Sequence, residues 1–202
     1  MALKRLSLTI SLALAAMSVA WAPGLGAWAA SPPQTQIYQV GQLKPVDSHI
    51  KVTVGQMAPD FSLPALGGGR VSLSQYRGQK NVMLSFLPGA WTPVCSEQWP
   101  GYNLAQEEFE RRDTIILGIT VDNLPTLYAW TQAMGGLWFP VLSDFWPHGG
   151  VAQRYGILRS DGVSERAILL IDKAGIIGYI DVHDINKRPE MGKLMRELDK
   201  LK

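Results

Sequence analysis

The sequence predicts an α/β fold in which a mixed central sheet is flanked by helices and preceded by an N-terminal β-hairpin. Two near-continuous apolar runs, at residues 82–87 and 114–121, have the pattern of strands that are buried on both faces. Amphipathic helical patterns lie between and after these runs, which is the β-α-β order of parallel strands. A later hairpin pattern at residues 167–180 adds antiparallel strands to the sheet.

The remaining elements follow from local patterns along the chain. The first hairpin has strands at residues 60–63 and 71–73 on either side of the glycine turn 67–69. Apolar residues at helical spacing, with charged residues on the opposite face, predict the helices. In chain order, these helices contain Tyr102, Ala105 and Phe109; Leu124, Leu127, Tyr128 and Met134; residues 151–155; and Met191, Leu194, Met195, Leu198 and Leu201. We expect helices at these positions to sandwich the sheet.

The composition indicates one globular domain, predicted at residues 51–202 after a leader or linker at residues 30–50 that includes the polar, proline-rich stretch at residues 31–36. The chain has 202 residues, of which 47% are hydrophobic, and this is enough for a single sizeable core. Its formal net charge of +2 includes Lys4 and Arg5, so the chain from residue 30 onward is formally neutral. A neutral domain lacks the basic surface of a nucleic-acid-binding protein, and no nucleic-acid partner is expected.

The N-terminus has the three parts of a secretory signal peptide, predicted at residues 1–29. Lys4 and Arg5 precede an apolar stretch at residues 6–19, and Ala27-Trp28-Ala29 matches the A-x-A cleavage pattern. Cleavage would give a mature chain that starts at Ala30, is periplasmic or exported, and no longer contacts the membrane. A retained anchor is the alternative, but glycines and a proline interrupt the apolar run before the roughly 20 residues of a spanning helix.

Cys95 is the only cysteine among the 202 residues and the strongest indication of function. It follows the buried strand at 82–87 and a loop that contains Pro88 and Pro93, and it precedes a helix. This order places Cys95 in the first helical turn, where unpaired backbone N–H groups and the helix dipole favour a thiolate. A lone cysteine forms no internal disulfide, so Cys95 is either an inert buried residue or a free reactive thiol. The loop before it favours the reactive thiol.

Thr92 and the two prolines predict a small, rigid pocket beside Cys95. The Thr92 hydroxyl can point at the sulfur or at a substrate oxygen, and it could also cap the helix. The spacing of Pro88, Thr92 and Cys95 resembles the signature of the peroxiredoxins, the AhpC/TSA family of thiol peroxidases with a thioredoxin-like fold. Further segments that look like this family lie in the same order along the domain, at residues 54–63, 139–144 and 166–172. Residues 143–149 are similar to the alkyl hydroperoxide reductase E type, a one-cysteine branch.

The resemblance implies that Cys95 attacks a peroxide and becomes a sulfenic acid. Thr92 and Arg166 would then position the peroxide, and Pro88 would shield the sulfur. Hydrogen peroxide or organic hydroperoxides are the expected substrates, and an external thiol or redoxin is the expected reductant because no resolving cysteine is present. The family also implies a homodimer and no bound cofactor. No metal is expected either, since the three histidines are scattered without the spacing of a metal site.

Two residues of this chain depart from the family pattern. Trp91 stands where phenylalanine is more usual, and Gln98 stands where many members carry glutamate; we expect neither to touch the core chemistry. The adjacent Glu97 should point about 100° away from Gln98 on the helix.

One alternative function is that of an exported thioredoxin-like thiol-disulfide oxidoreductase. Such a protein would use two cysteines separated by two residues, but Thr92 fills the first position. The other alternative is a non-catalytic redoxin-like domain that binds a partner.

Overall fold

The computed structural model describes residues 36–201 of the chain. The predicted signal peptide and the start of the leader lie outside these residues. In chain order, the strands are β1 (Ser62–Pro64), β2 (Arg70–Ser72), β3 (Asn81–Phe86), β4 (Thr114–Thr120), β5 (Val141–Ser143), β6 (Arg166–Ile171) and β7 (Ile177–His183). The α-helices are α1 (Pro93–Leu104), α2 (Gln106–Glu110), α3 (Leu124–Ala133), α4 (Gly150–Tyr155) and α5 (Met191–Leu198).

Five of these strands form one mixed sheet in the order β5-β4-β3-β6-β7. β3 pairs in parallel with β4, and β4 with β5, whereas β6 runs antiparallel to both β3 and β7. β1 and β2 form a separate antiparallel hairpin. The structure therefore confirms the predicted α/β class, the mixed sheet and the N-terminal hairpin.

Two apolar cores lie on opposite faces of this sheet. Successive residues of a strand point to opposite faces, so Leu84 and Phe86 enter one core while Met83 enters the other. The first core is covered by the hairpin and α4, and the second by α1, α2, α3 and α5. All six residues of β3 are buried, as predicted for a strand covered on both faces. Cys95 belongs to the second core.

Three details differ from the sequence prediction. The helical pattern that runs through Tyr102 and Phe109 is interrupted at Ala105, where φ of −97° and ψ of 17° leave helical geometry. β5 has no counterpart in the prediction, because three residues are too few to show a period. The closing helix α5 ends at Leu198 and does not reach Leu201.

Within residues 36–201, no helix combines the length and apolar character needed to cross a membrane. In the same range, no three His, Cys, Asp or Glu side chains lie close enough together to hold a metal ion.

Candidate active site

Cys95 lies in the first turn of α1, at the edge of the sheet where β3 ends. The helix begins at Pro93, which has no N–H group and whose ring favours helical φ. The N–H groups of the first turn have no acceptor within the helix, and the positive end of the helix dipole lies there. The Cys95 side chain is fully buried. Because these surroundings are of low polarity, a charged sulfur here would need a nearby cation in addition to the helix end.

Arg166 brings a buried positive charge to this sulfur. Ala167 pairs with Phe86 across the sheet, so the start of β6 lies beside the end of β3 and the loop that leads to Cys95. The Arg166 side chain is buried, and its Nη2 lies 3.5 Å from Cys95 Sγ. Its Nε and Nη2 both donate to the Ile185 carbonyl, at 3.1 and 2.9 Å. These bonds hold the plane of the guanidinium against the sulfur.

Gln98 also belongs to this site, and the expectation that it stays apart from the core chemistry is wrong. Residues three apart on a helix share a face, so α1 turns Gln98 to the same side as Cys95. Gln98 Oε1 accepts a hydrogen bond from Arg166 Nη1 at 2.7 Å, and its Nε2 donates to the Tyr102 hydroxyl at 2.8 Å. Burial raises the pKa of Tyr102, which keeps the phenol neutral.

The acceptors around the Arg166 guanidinium carry no formal charge of their own. They are the Ile185 carbonyl, the Gln98 amide and the Cys95 sulfur, and none of the ion pairs among the described residues includes Arg166. A buried cation needs a compensating charge, and here the sulfur is the acceptor that can supply it as a thiolate. Glu97, as predicted, points away from the site and is exposed.

Thr92 and Pro88 line a cavity that Arg166 also lines. Thr92 directly precedes α1, but its hydroxyl donates to the Gly89 carbonyl at 2.9 Å and makes no side-chain cap of the helix. Thr92 is thus the N-cap residue of α1 by position, as considered from the sequence, but its side chain does not cap the helix because the hydroxyl is turned back toward its own loop. Its oxygen keeps lone pairs that can accept a hydrogen bond from a substrate.

The loop between β3 and α1 is held by contacts that the sequence does not reveal. Trp91 has a φ of 61°, in the left-handed region that residues other than glycine rarely adopt. Asp122 Oδ2 accepts a hydrogen bond from the Ala90 N–H at 2.8 Å, and the Ser164 hydroxyl donates to the Leu87 carbonyl at 2.8 Å. These partners are 32 and 77 positions apart in the chain, so no local pattern links them.

The cavity beside these residues has a volume of about 790 Å³. Pro88, Thr92 and Arg166 are among its lining residues, whereas Cys95 is not. The structure therefore brings the four predicted site residues together, with the sulfur in contact with Arg166 and beneath the cavity surface.

Similarity to known proteins extends over the domain that carries this site. A family model described as the AhpC/TSA family matches residues 54–180. Alkyl hydroperoxide reductase E from Mycobacterium tuberculosis (strain ATCC 25618 / H37Rv) is 39% identical over 132 residues, which cover 65% of this chain and 86% of that protein. Peroxiredoxin-2 from Mus musculus is 33% identical over 140 residues, covering 65% of this chain and 70% of that protein.

Solved structures show the same relationship. The reduced 2-Cys peroxiredoxin of Plasmodium vivax superimposes with a TM-score of 0.68 at 32% identity, covering 72% of this chain and 80% of that chain. AhpC of Mycobacterium bovis superimposes with a TM-score of 0.67 at 25% identity, covering 73% of this chain and 91% of that chain.

Proposed function

This chain belongs to the AhpC/TSA family of peroxiredoxins and is a thiol-dependent peroxidase, and we propose that Cys95 is its peroxidatic sulfur. The 3.5 Å contact between Cys95 Sγ and the buried Arg166 guanidinium carries this assignment. The guanidinium and the helix N-terminus both favour the thiolate, which is the nucleophilic form of a thiol. Disulfide exchange is not favoured, because Thr92 occupies the position of the first of the two cysteines that such chemistry needs.

In the proposed reaction, the Cys95 thiolate attacks the terminal oxygen of a hydroperoxide and the O–O bond breaks. The sulfur becomes a sulfenic acid, and the departing oxygen takes up a proton to leave as water or an alcohol. Arg166 Nη2 and the Cys95 N–H are placed to stabilise the charge that develops on the two oxygens. The Thr92 oxygen accepts a hydrogen bond from the terminal hydroxyl of the peroxide, while the Thr92 hydroxyl continues to donate to the Gly89 carbonyl.

The burial of Cys95 adds a condition to this reaction. Pro88 and Thr92 line the cavity, but the sulfur has no exposed surface. The terminal oxygen of the peroxide must therefore displace these side chains slightly to reach Sγ. Once seated, it lies where water is excluded and where the charge of Arg166 acts through a low dielectric constant.

An external thiol completes the proposed cycle, because Cys95 has no second cysteine in the 202-residue chain to resolve it. The sulfenic acid condenses with this thiol to form a mixed disulfide and water. A second external thiol then attacks the mixed disulfide and releases the Cys95 thiolate.

Rapid mixing of the mature protein with hydrogen peroxide tests the assignment of Cys95. Trp99 is buried one turn further along α1, so oxidation of the sulfur should change tryptophan fluorescence. Cys95→Ser should abolish both this change and peroxide consumption, and mass spectrometry should find one added oxygen on Cys95. Glu97→Gln, an exposed neighbour on the same helix, should behave as wild type. Wild-type protein that consumes peroxide no faster than free cysteine would contradict the assignment.

We also propose that the chain is exported and that residues 1–29 are removed. Lys4 and Arg5, the apolar stretch that follows and the A-x-A pattern at residues 27–29 support this proposal. Intact-mass analysis of cell-envelope fractions should find a chain that starts near Ala30. A chain that retains Met1 in the membrane fraction would show that the segment is an anchor.

A homodimer is the assembly that we propose for the mature protein. Family membership supports it, and so does the exposed aromatic pair Phe145 and Trp146 on the surface after β5. Light scattering coupled to size exclusion should give the mass of two chains. Trp146→Ser should shift this mass toward one chain, and a monomeric wild-type protein would refute the proposal.

A further inference from the structure

We propose that residues 38–43 form a strap that selects the substrate by packing the apolar group of a bulky, neutral organic hydroperoxide against the cavity. The strap precedes the segment matched by the family model, which begins at residue 54. This inference rests on the proposed peroxidase role of Cys95, but it concerns a different part of the chain.

The strap is attached to the domain at both ends. At one end, the Tyr38 N–H donates to the Trp91 carbonyl at 2.8 Å. At the other end, the Leu43 N–H donates to Asn186 Oδ1 and the Leu43 carbonyl accepts from Asn186 Nδ2, both at 2.9 Å. The first attachment point lies in the loop before α1, and the second follows β7.

These attachment points belong to the segments that also hold the site. Trp91 directly precedes Thr92, and Asn186 directly follows Ile185, whose carbonyl orients Arg166. The Ile185 N–H also donates to the Pro45 carbonyl at 3.0 Å, just beyond the strap. The strap is thus positioned by the same loops that position the catalytic groups.

Between its attachment points, the residues of the strap are exposed. For residues 39–42, the hydrogen bond described by the structure runs from Gln39 Nε2 to the Ile37 carbonyl, within the N-terminal segment itself. All six strap residues line the cavity of about 790 Å³. The strap therefore forms one wall of the cavity without being packed into the domain along its middle.

The cavity is much larger than hydrogen peroxide requires. A water molecule takes up about 30 Å³ of liquid, whereas sites for small organic ligands have volumes of about 300–1,000 Å³. The cavity volume of about 790 Å³ lies in the second range. A hydroperoxide that fills this space must carry a substantial organic group.

The lining residues indicate the chemistry of that group. The strap contributes apolar surface from Tyr38, Val40 and Leu43, and the rest of the domain contributes Val94, Val121, Val163 and Ile185. Arg166 supplies the positive charge near the sulfur, while Asp122 and Asp161 are the acidic lining residues. The two carboxylates disfavour an anionic group on the part of the substrate that lies away from Arg166. A neutral, apolar organic group therefore fits the rest of the cavity.

Two valines of the leader provide a matched pair of variants. Val40 and Val46 are both 37% exposed, but only Val40 lines the cavity. In Val40→Ser, we expect kcat/KM for cumene hydroperoxide to fall about three- to tenfold, because this substrate loses apolar contact with the strap. The value for hydrogen peroxide should change less than about twofold, since so small a substrate does not reach Val40. Val46→Ser should leave both values unchanged.

Val40→Trp tests the same wall in the opposite direction, by filling the cavity. It should exclude cumene hydroperoxide and leave the reduction of hydrogen peroxide nearly intact. If the ratio of the two kcat/KM values is the same in wild type and in both Val40 variants, the strap does not select the substrate. Failure of the wild-type protein to reduce hydrogen peroxide would instead refute the peroxidase role of Cys95, so the two ideas fail separately.

Discussion

Replacing Arg166 with lysine separates the positive charge at the site from the shape of the guanidinium. The guanidinium makes four described hydrogen bonds, two to the Ile185 carbonyl, one to Gln98 Oε1 and one to Cys95 Sγ. Lysine retains the charge, but its single nitrogen cannot serve three acceptors that are arranged for a planar fork. The variant should therefore keep the positive charge beside the peroxide but lose the planar arrangement of hydrogen-bond donors.

The expected decrease in the rate constant follows from the energy of the hydrogen bond that is lost. If lysine fails to make one charge-assisted hydrogen bond to the reacting atoms, the transition state loses about 1.5–3 kcal/mol. Each 1.36 kcal/mol corresponds to about a tenfold change in rate. The second-order rate constant for hydrogen peroxide should thus fall roughly 10- to 150-fold in Arg166→Lys.

Stopped-flow tryptophan fluorescence over a series of peroxide concentrations gives this rate constant directly. Arg196→Lys is the matched control, because the Arg196 side chain is 66% exposed on α5. Thermal unfolding of each variant shows whether the fold is retained. A well-folded Arg166→Lys whose rate constant lies within about threefold of wild type would refute the argument that the fork geometry matters.

Three further substitutions test the site and its support. Gln98→Ala removes the acceptor of Arg166 Nη1 and should slow peroxide reduction at pH 7 about three- to tenfold, because the guanidinium loses one of the bonds that hold it beside the sulfur; an unchanged rate would contradict this. Gly118→Ala places a Cβ 2.8 Å from the Trp99 ring and should lower the free energy of unfolding by about 1–3 kcal/mol in urea titrations. The buried Arg159 lies 2.8 Å from the Glu165 carboxylate. Glu165→Ala removes this partner and should lower the free energy of unfolding by about 3–5 kcal/mol in the same titrations. A change near zero in the free energy of unfolding of either variant would show that the protein relaxes around the substitution.

Local patterns were sufficient for the fold class and for the position of the Cys95 sulfur. The apolar run before Pro88 predicts a strand buried on both faces, and β3 is buried throughout. Pro93, ahead of an amphipathic helical pattern, predicts a helix start, and α1 begins at Pro93 with Cys95 in its first turn. These features depend on burial and backbone geometry within a few residues, which a sequence shows directly.

Other parts of the site arise only when the chain is folded. Arg166 reaches Cys95 because β3 and β6 pair in one particular register, and Gln98 joins them because the guanidinium extends across α1. The sequence predicts only a leader at residues 30–50, yet residues 38–43 of this leader line the cavity. The sequence by itself thus determined the α/β framework and the lone thiol at a helix start. The tertiary structure decided which distant side chains surround that thiol and which segment forms the cavity wall, because hydrogen bonds between residues far apart in the chain depend on strand order and register.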